Sequence, residues 1–268
     1  MSSRQTIATA DYVYTGRGFN SALFRANTRM RGRPISFLTK VDLGTPVLAL
    51  ADAIVDDATS TNLPSAAGTM TYTPATDGTA PLNKTGRPAT ATITTADGAV
   101  LCWVLDVPRN LVSVVTHSSS VVAMDIVLTG YDTYFQKMKE LHAITATGTT
   151  KTATGTKAFK YLSSIAITVA ANASTNTLNL GYGSVLGLPY YLAEKSDLLS
   201  VWFDQAVDSS TVVAGVTTTA SATTGDVRGT ITIAGTLNGV KTLKAWMHVS
   251  EANAASKVGL IGVNQYAG

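Results

Sequence analysis

The sequence predicts a mainly β protein: an antiparallel β-sandwich or barrel-like body with an extended N-terminal arm and one short helix. Three observations predict it. From Pro88 onward apolar residues alternate with a period of two, in short runs separated by turn residues. Thr, Ala, Ser, Val and Gly dominate the composition, and charged residues make up only 14%, against roughly 25% in ordinary soluble domains. β-branched Thr and Val suit a pleated, half-buried surface. Finally, no helical stretch separates the expected strands, which argues against a parallel α/β sheet. At 268 residues the chain can bury one large core or two smaller ones.

Residues 1–44 read as a basic, extended arm. They hold no steady period, and Gly16, Gly18, Gly32 and Pro34 interrupt them. Residues 1–40 carry seven basic side chains and one acid, a net of +6, whereas the remainder holds 13 bases and 16 acids, a net of −3. Arg and aromatic residues anchor interfaces, so Arg17, Phe19, Phe24, Arg25, Arg29, Arg31 and Arg33 are the candidate partner-binding residues. Such an arm suits acidic protein or nucleic acid. Nucleic acid is the weaker of the two, because the body is acidic and carries no nucleic-acid-binding motif.

Residues 45–87 read as the short helix followed by a linker. Thr45 suits an N-cap and Pro46 the first helical position, and Val47, Leu50, Ala51, Ile54 and Ala58 recur at helical spacing to about Thr59. The linker over 60–87 leaves room for a short strand at Thr69–Thr73. The body spans 88–268, with a sub-boundary near 205–226 where Ser, Thr, Gly and Ala dominate. Its expected strands are Ala89–Thr95, Val100–Val107, Leu111–Thr116, Val121–Leu128, Gln136–Ile144, Ala158–Tyr161, Ile165–Val169, Thr177–Leu180, Leu198–Phe203, Thr230–Ala234 and Val240–Val249. Ala96-Asp-Gly98, Gly130-Tyr-Asp132 and Asn172-Ala-Ser174 are expected turns, and Asn238-Gly239 is the clearest hairpin signal.

Chemistry is sparse. His117, His142 and His248 stand on separate expected strands without metal-ligand spacing, so no metal and no cofactor is expected. Gly181-Tyr-Gly-Ser-Val-Leu-Gly187 lacks the following helix of a phosphate loop and reads as tight turns. Asp204 and Asp208 read as turn formers. No nucleophile elbow surrounds any serine, and no catalytic residue is assigned. The lone Cys102 lies in an apolar run and is expected to be a small buried thiol. The chain shows neither a signal-peptide pattern nor an apolar run of ~18 residues, so no membrane role is expected.

Several stretches carry a resemblance. Val107-Pro-Arg-Asn110 (read as a turn before a strand pair), Thr129-Gly-Tyr-Asp132, Thr154-Gly-Thr-Lys-Ala-Phe-Lys160, Leu186-Gly-Leu-Pro189 and Thr223-Thr-Gly-Asp-Val-Arg-Gly-Thr230 are similar to stretches of β-rich structural proteins of tailed bacteriophages, marine podophages among them. The likeness covers roughly residues 88–250. Relatives close the turn after the strand pair with a glycine, where this chain has Tyr131-Asp-Thr-Tyr-Phe135. The resemblance implies a non-enzymatic virion component, above all a capsid decoration or cement protein. It would be made in the host cytoplasm and carried on the capsid exterior. Its expected partners are the major capsid protein and further copies of itself, as a dimer or trimer. The alternatives are a tail or head–tail joining component, or a carbohydrate-binding virion domain using Tyr190-Tyr191 or Trp202-Phe203.

Overall fold

The computed structural model of the chain describes residues 36–58, 63–76, 87–216, 220–250 and 265–266. Their strands are β1 (Ser36–Asp42), β2 (Leu50–Ala58), β3 (Gly68–Tyr72), β4 (Thr90–Thr95), β5 (Gly98–Thr116), β6 (Met124–Tyr131), β7 (Lys137–Ile144) and β8 (Thr150–Thr154). There follow β9 (Phe159–Val169), β10 (Thr177–Gly187), β11 (Leu198–Phe203), β12 (Ala206–Asp208), β13 (Thr211–Val213), β14 (Thr230–Thr232) and β15 (Leu243–Ser250). The fold is mainly β and its strand pairs are antiparallel, as the composition and alternation predict.

A large sheet of eleven strands runs β13-β14-β10-β5-β9-β6-β7, with β2 added on β10, β3 on β9, and β4 and β8 on β5. A small sheet runs β1-β15-β11-β12. Strand β5 changes partners along its length: its first half pairs with β4 and meets β9 at Trp103 and Val104, and its second half pairs with β8 and β10. The sheet therefore folds around two cores. The larger holds Ile54, Trp103, Leu111, Ile126, Phe159, Ile167 and Leu180, all fully buried. In the second, Val41, Val201, Phe203, Leu243, Ala245 and Met247 of the small sheet meet Leu186 and Ile231 of β10 and β14. Each buried Val, Leu, Ile, Phe or Met among them contributes about 1.5–3 kcal/mol.

Several expectations are corrected. The helix expected from Thr45 to Thr59 is absent from the described residues, and Leu50–Ala58 is strand β2. Its register on β10 shifts twice, and Asp57 takes a left-handed φ of 48°. The shifts break the two-residue alternation, so that Ala53, Ile54 and Val55 are buried in succession and the apolar spacing imitates a helix. Gly181 permits this pairing: a Cβ there would lie 1.9 Å from the Leu50 carbonyl oxygen. The segment Gly181–Gly187 is thus not a set of turns but part of β10, where Gly181, Gly183 and Gly187 let neighbours approach closely.

Val107-Pro-Arg-Asn110 is likewise no turn. It lies inside the nineteen-residue β5, where the strand changes partners. Register shifts against β9 and β10 fall at this point, which accommodates the missing N–H of Pro108. Asn238-Gly239 forms no hairpin. Asn238 Oδ1 accepts from the Val240 and Lys241 amides, and the bend joins β14 of one sheet to β15 of the other. Part of the expected arm, Ser36–Asp42, is strand β1, and the expected linker contains β3, one residue from its anticipated position. The turn expected at Ala96-Asp-Gly98 joins β4 to β5, whereas Gly130 and Tyr131, expected in a turn, are the last paired residues of β6, and the connection to β7 begins at Asp132.

Candidate docking surface

The small sheet buries one face and exposes the other. Antiparallel partners directly opposite each other point to the same side, so the register defines the exposed face. Asp42 of β1 lies opposite Lys244 of β15, which lies opposite Trp202 of β11 and then Val207 of β12. The adjacent row is Lys40, Trp246 and Ser200, and Leu38 opposes His248 in the next. Leu38 is 54% exposed, Val207 63%, Trp202 37% and Trp246 36%. Leu199, at the register shift of β11, is 53% exposed. The two indoles sit diagonally across the β11–β15 pair, and Trp202 Nε1 donates to Ser200 Oγ at 3.1 Å. Clustered exposed apolar groups of this kind mark interaction surfaces more often than scattered ones do. Strand β1 is an edge of this sheet, and the basic N-terminal segment leads directly into it.

A second cluster lies inside and joins the stretches that carry the resemblance. Arg109 is fully buried. Its guanidinium donates to the Gly183 and Val47 carbonyls and to both oxygens of Asp106, and it stacks 4.5 Å over the Tyr182 ring. Asn110 donates to the Gly155 carbonyl and accepts from the Val185 amide. Glu140 Oε1 accepts from the Thr156 and Lys157 amides. Asp226 accepts from the Ala158 and Arg228 amides and from the Gln265 side chain. Arg228 pairs with Asp132 at 2.5 Å and stacks 4.8 Å over the Tyr134 ring. Lys157 Nζ donates to the Gln265 carbonyl, which holds that residue against the large sheet. Burial pushes the Lys157 ammonium below its ordinary value and outweighs the opposing pull of Asp226 and Glu140. It also pushes the Asp226 carboxyl above its own, against its hydrogen bonds and Arg228. Both charges are thus desolvated, and their partners keep them tolerable.

The same knot contains a serine–histidine–glutamate arrangement that sequence reading missed. Ser113 Oγ lies 2.8 Å from His142 Nδ1, and His142 Nε2 lies 3.7 Å from Glu140 Oε2. The signal was available in Glu140 and His142, two apart on one strand and so on one face. All three side chains are buried, and a Cβ on Gly155 would meet Glu140 Oε2 at 2.5 Å and His142 Nε2 at 3.0 Å. Among the described residues, the arrangement lies inside the protein and not at its surface.

Arg17, Phe19, Phe24, Arg25, Arg29, Arg31 and Arg33 lie outside the described residues. Among the described residues no three potential ligands gather into a metal-binding group, and no helix is long and apolar enough to cross a membrane. His117 follows β5 and caps a turn by accepting from the Ser119 and Ser120 amides. Asp204 occupies the β11–β12 turn with a φ of 63°, as expected of a turn former, whereas Asp208 ends strand β12 and its carboxylate accepts from the distant Ala234 and Gly235 amides. Trp202 and Phe203 part company, one outward and one into the core, whereas Tyr190 and Tyr191 are both half-buried. Cys102 is fully buried, and burial pushes its thiol up to about 12. A thiol reagent at about pH 8 is expected to leave the folded protein unlabelled and to react fully after denaturation. Labelling of the native state, followed by mass spectrometry, would show the site open. Comparison with protein-family models, curated proteins and solved structures finds no match for this chain.

Proposed function

We propose that the protein is a non-enzymatic structural component of a tailed-bacteriophage particle, a decoration protein that binds the outside of the shell across capsomer joints and stabilises the head. The single observation that carries this reading is the junction of arm and sheet. A basic segment rich in Arg and aromatic residues enters the edge strand of a sheet whose outer face presents Trp202, Trp246, Leu38 and Val207. The segment that would reach the shell and the face that would meet a neighbouring protein therefore adjoin. Cement proteins rely on many shallow contacts multiplied by symmetry, which suits a weakly charged surface and a tether better than a deep site. The resemblance of residues 88–250 to phage structural proteins points the same way. The partner is the major capsid protein, reached through Arg17, Phe19, Phe24, Arg25, Arg29, Arg31 and Arg33.

The exposed indoles favour one other reading, a carbohydrate platform on the particle surface, since sugar rings stack on flat aromatic faces. Copy number separates decoration from a tail or joining role. Quantitative mass spectrometry of purified particles is expected to find on the order of hundreds of copies, in simple proportion to the major capsid protein. A dozen or fewer would move the protein to the tail or the portal vertex. Removal of residues 1–33, which spares β1, is expected to leave a folded body whose head occupancy falls about tenfold or more. Undiminished occupancy would sink the arm as anchor.

A further inference from the structure

We propose that the outer face of the small sheet is a homodimer interface, occupied by the same face of a second copy across a two-fold axis. The proposal rests on reading this face as a docking surface; it leaves the shell to the basic N-terminal segment and gives the face to a second copy.

Charge is the first argument. A two-fold interface must be self-complementary, so that residue i of one copy meets j of the other and j meets i. The face carries both signs side by side, with Asp42 and Lys244 directly opposed in the β1–β15 register. Facing copies can set Lys244 of each against Asp42 of the other, forming the contact twice. A partner of uniform charge, such as a phosphate polymer or a strongly acidic shell, would gain from Lys40 and Lys244 but meet Asp42 in their midst.

Shape is the second. Ser200 is the small residue of the central row, beside Trp246 and two positions from Trp202. Trp202 Nε1 donates to Ser200 Oγ at 3.1 Å, which holds that indole over the row beside Trp246 as a fixed apolar contact for the facing copy. Sheets packed face to face lie about 10 Å apart, close enough for such side chains to meet.

Area sets the strength. At strand and residue spacings of about 4.8 Å and 3.3 Å, the face offers at most roughly 450 Å² per copy. The total of roughly 900 Å² falls below the 1,200–2,000 Å² of stable complexes. The dimer is accordingly weak, with a dissociation constant on the order of micromolar, and the high local concentration on a particle would fill it.

The test is sedimentation of the full chain up to about 100 µM. Wild type is expected to show a reversible, concentration-dependent dimer. Lys244→Glu and Asp42→Lys should each weaken it about tenfold or more by setting like charges face to face. An equimolar mixture of the two variants should recover it, since each then supplies the charge the other lacks, and so should the double variant. Recovery on mixing is not something a misfolded variant produces, and circular dichroism checks each fold. A wild type that stays monomeric overturns the proposal, as does a dimer indifferent to both charge reversals. Binding of a glycan through Trp202 and Trp246 to a monomer would overturn it in favour of the carbohydrate reading. The outcome is separable from the particle role: a dimer absent from heads sinks the decoration reading alone, and a monomer abundant on heads sinks the dimer alone.

Discussion

Arg109→Met is expected to destabilise the protein by about 3–5 kcal/mol, the range for breaking a buried charged network by removing one partner. The wild-type guanidinium makes bonds to Gly183 on β10, to Val47 ahead of β2 and to Asp106 on its own strand, and it covers the Tyr182 ring. It thereby fastens β2 and β10 to β5 at the point where β5 exchanges partners. Methionine fills part of the volume but leaves two carbonyls without donors and Asp106 without its cation. Arg109→Lys keeps the charge yet lacks the planar fork, so it should recover only part of the loss. Urea denaturation of the three proteins decides the matter; a loss below about 1 kcal/mol for the methionine variant would show that the fork is dispensable.

Asp226→Ala is the second large effect, also about 3 kcal/mol or more, because the Ala158 amide, the Arg228 amide and the Gln265 carboxamide all lose their acceptor inside the protein. Asp226→Asn retains one acceptor oxygen and should cost less. The pair also makes a pH prediction. Burial holds the Asp226 carboxyl above its ordinary 3.8, so in the window just above that value the folded state binds more protons than the unfolded state. Stability contributed by this group is then fully present below 3.8 and falls as pH rises through the folded value. Wild type should lose stability relative to Asp226→Asn as pH rises across that window. Parallel pH profiles would show that the Arg228 charge cancels the burial.

The β architecture was legible in the sequence because alternation reports burial directly. Leu198–Phe203 is a strand with the bounds the pattern gave, and Trp202 out with Phe203 in follows from period two alone. The bulged β2 defeated the same reasoning, since extra residues in a strand move apolar spacing from two towards three and four. Pro108 stands in the stretch where the resemblance implies a turn, yet a partner change makes its missing donor harmless inside β5. At three residues each, β12 and β13 are too short to give a periodic signal. Arg109, Lys157, Asp226 and Arg228 were invisible as buried residues because charged side chains are surface residues by default. Their partners come from segments far apart in sequence, and only the fold brings those segments together. The docking face is similar, because it needs the pairing of β1 with β15 before Lys40 and Trp246 become neighbours.

That pairing joins the two ends of the described chain, and translation makes it a clock. Strand β1 leaves the ribosome early and waits, its partner β15 following only after every other described strand. Contacts so distant in sequence are the slowest to close. The platform of indoles and paired charges therefore cannot assemble on an unfinished chain, and a nascent or truncated product carries no complete copy of it.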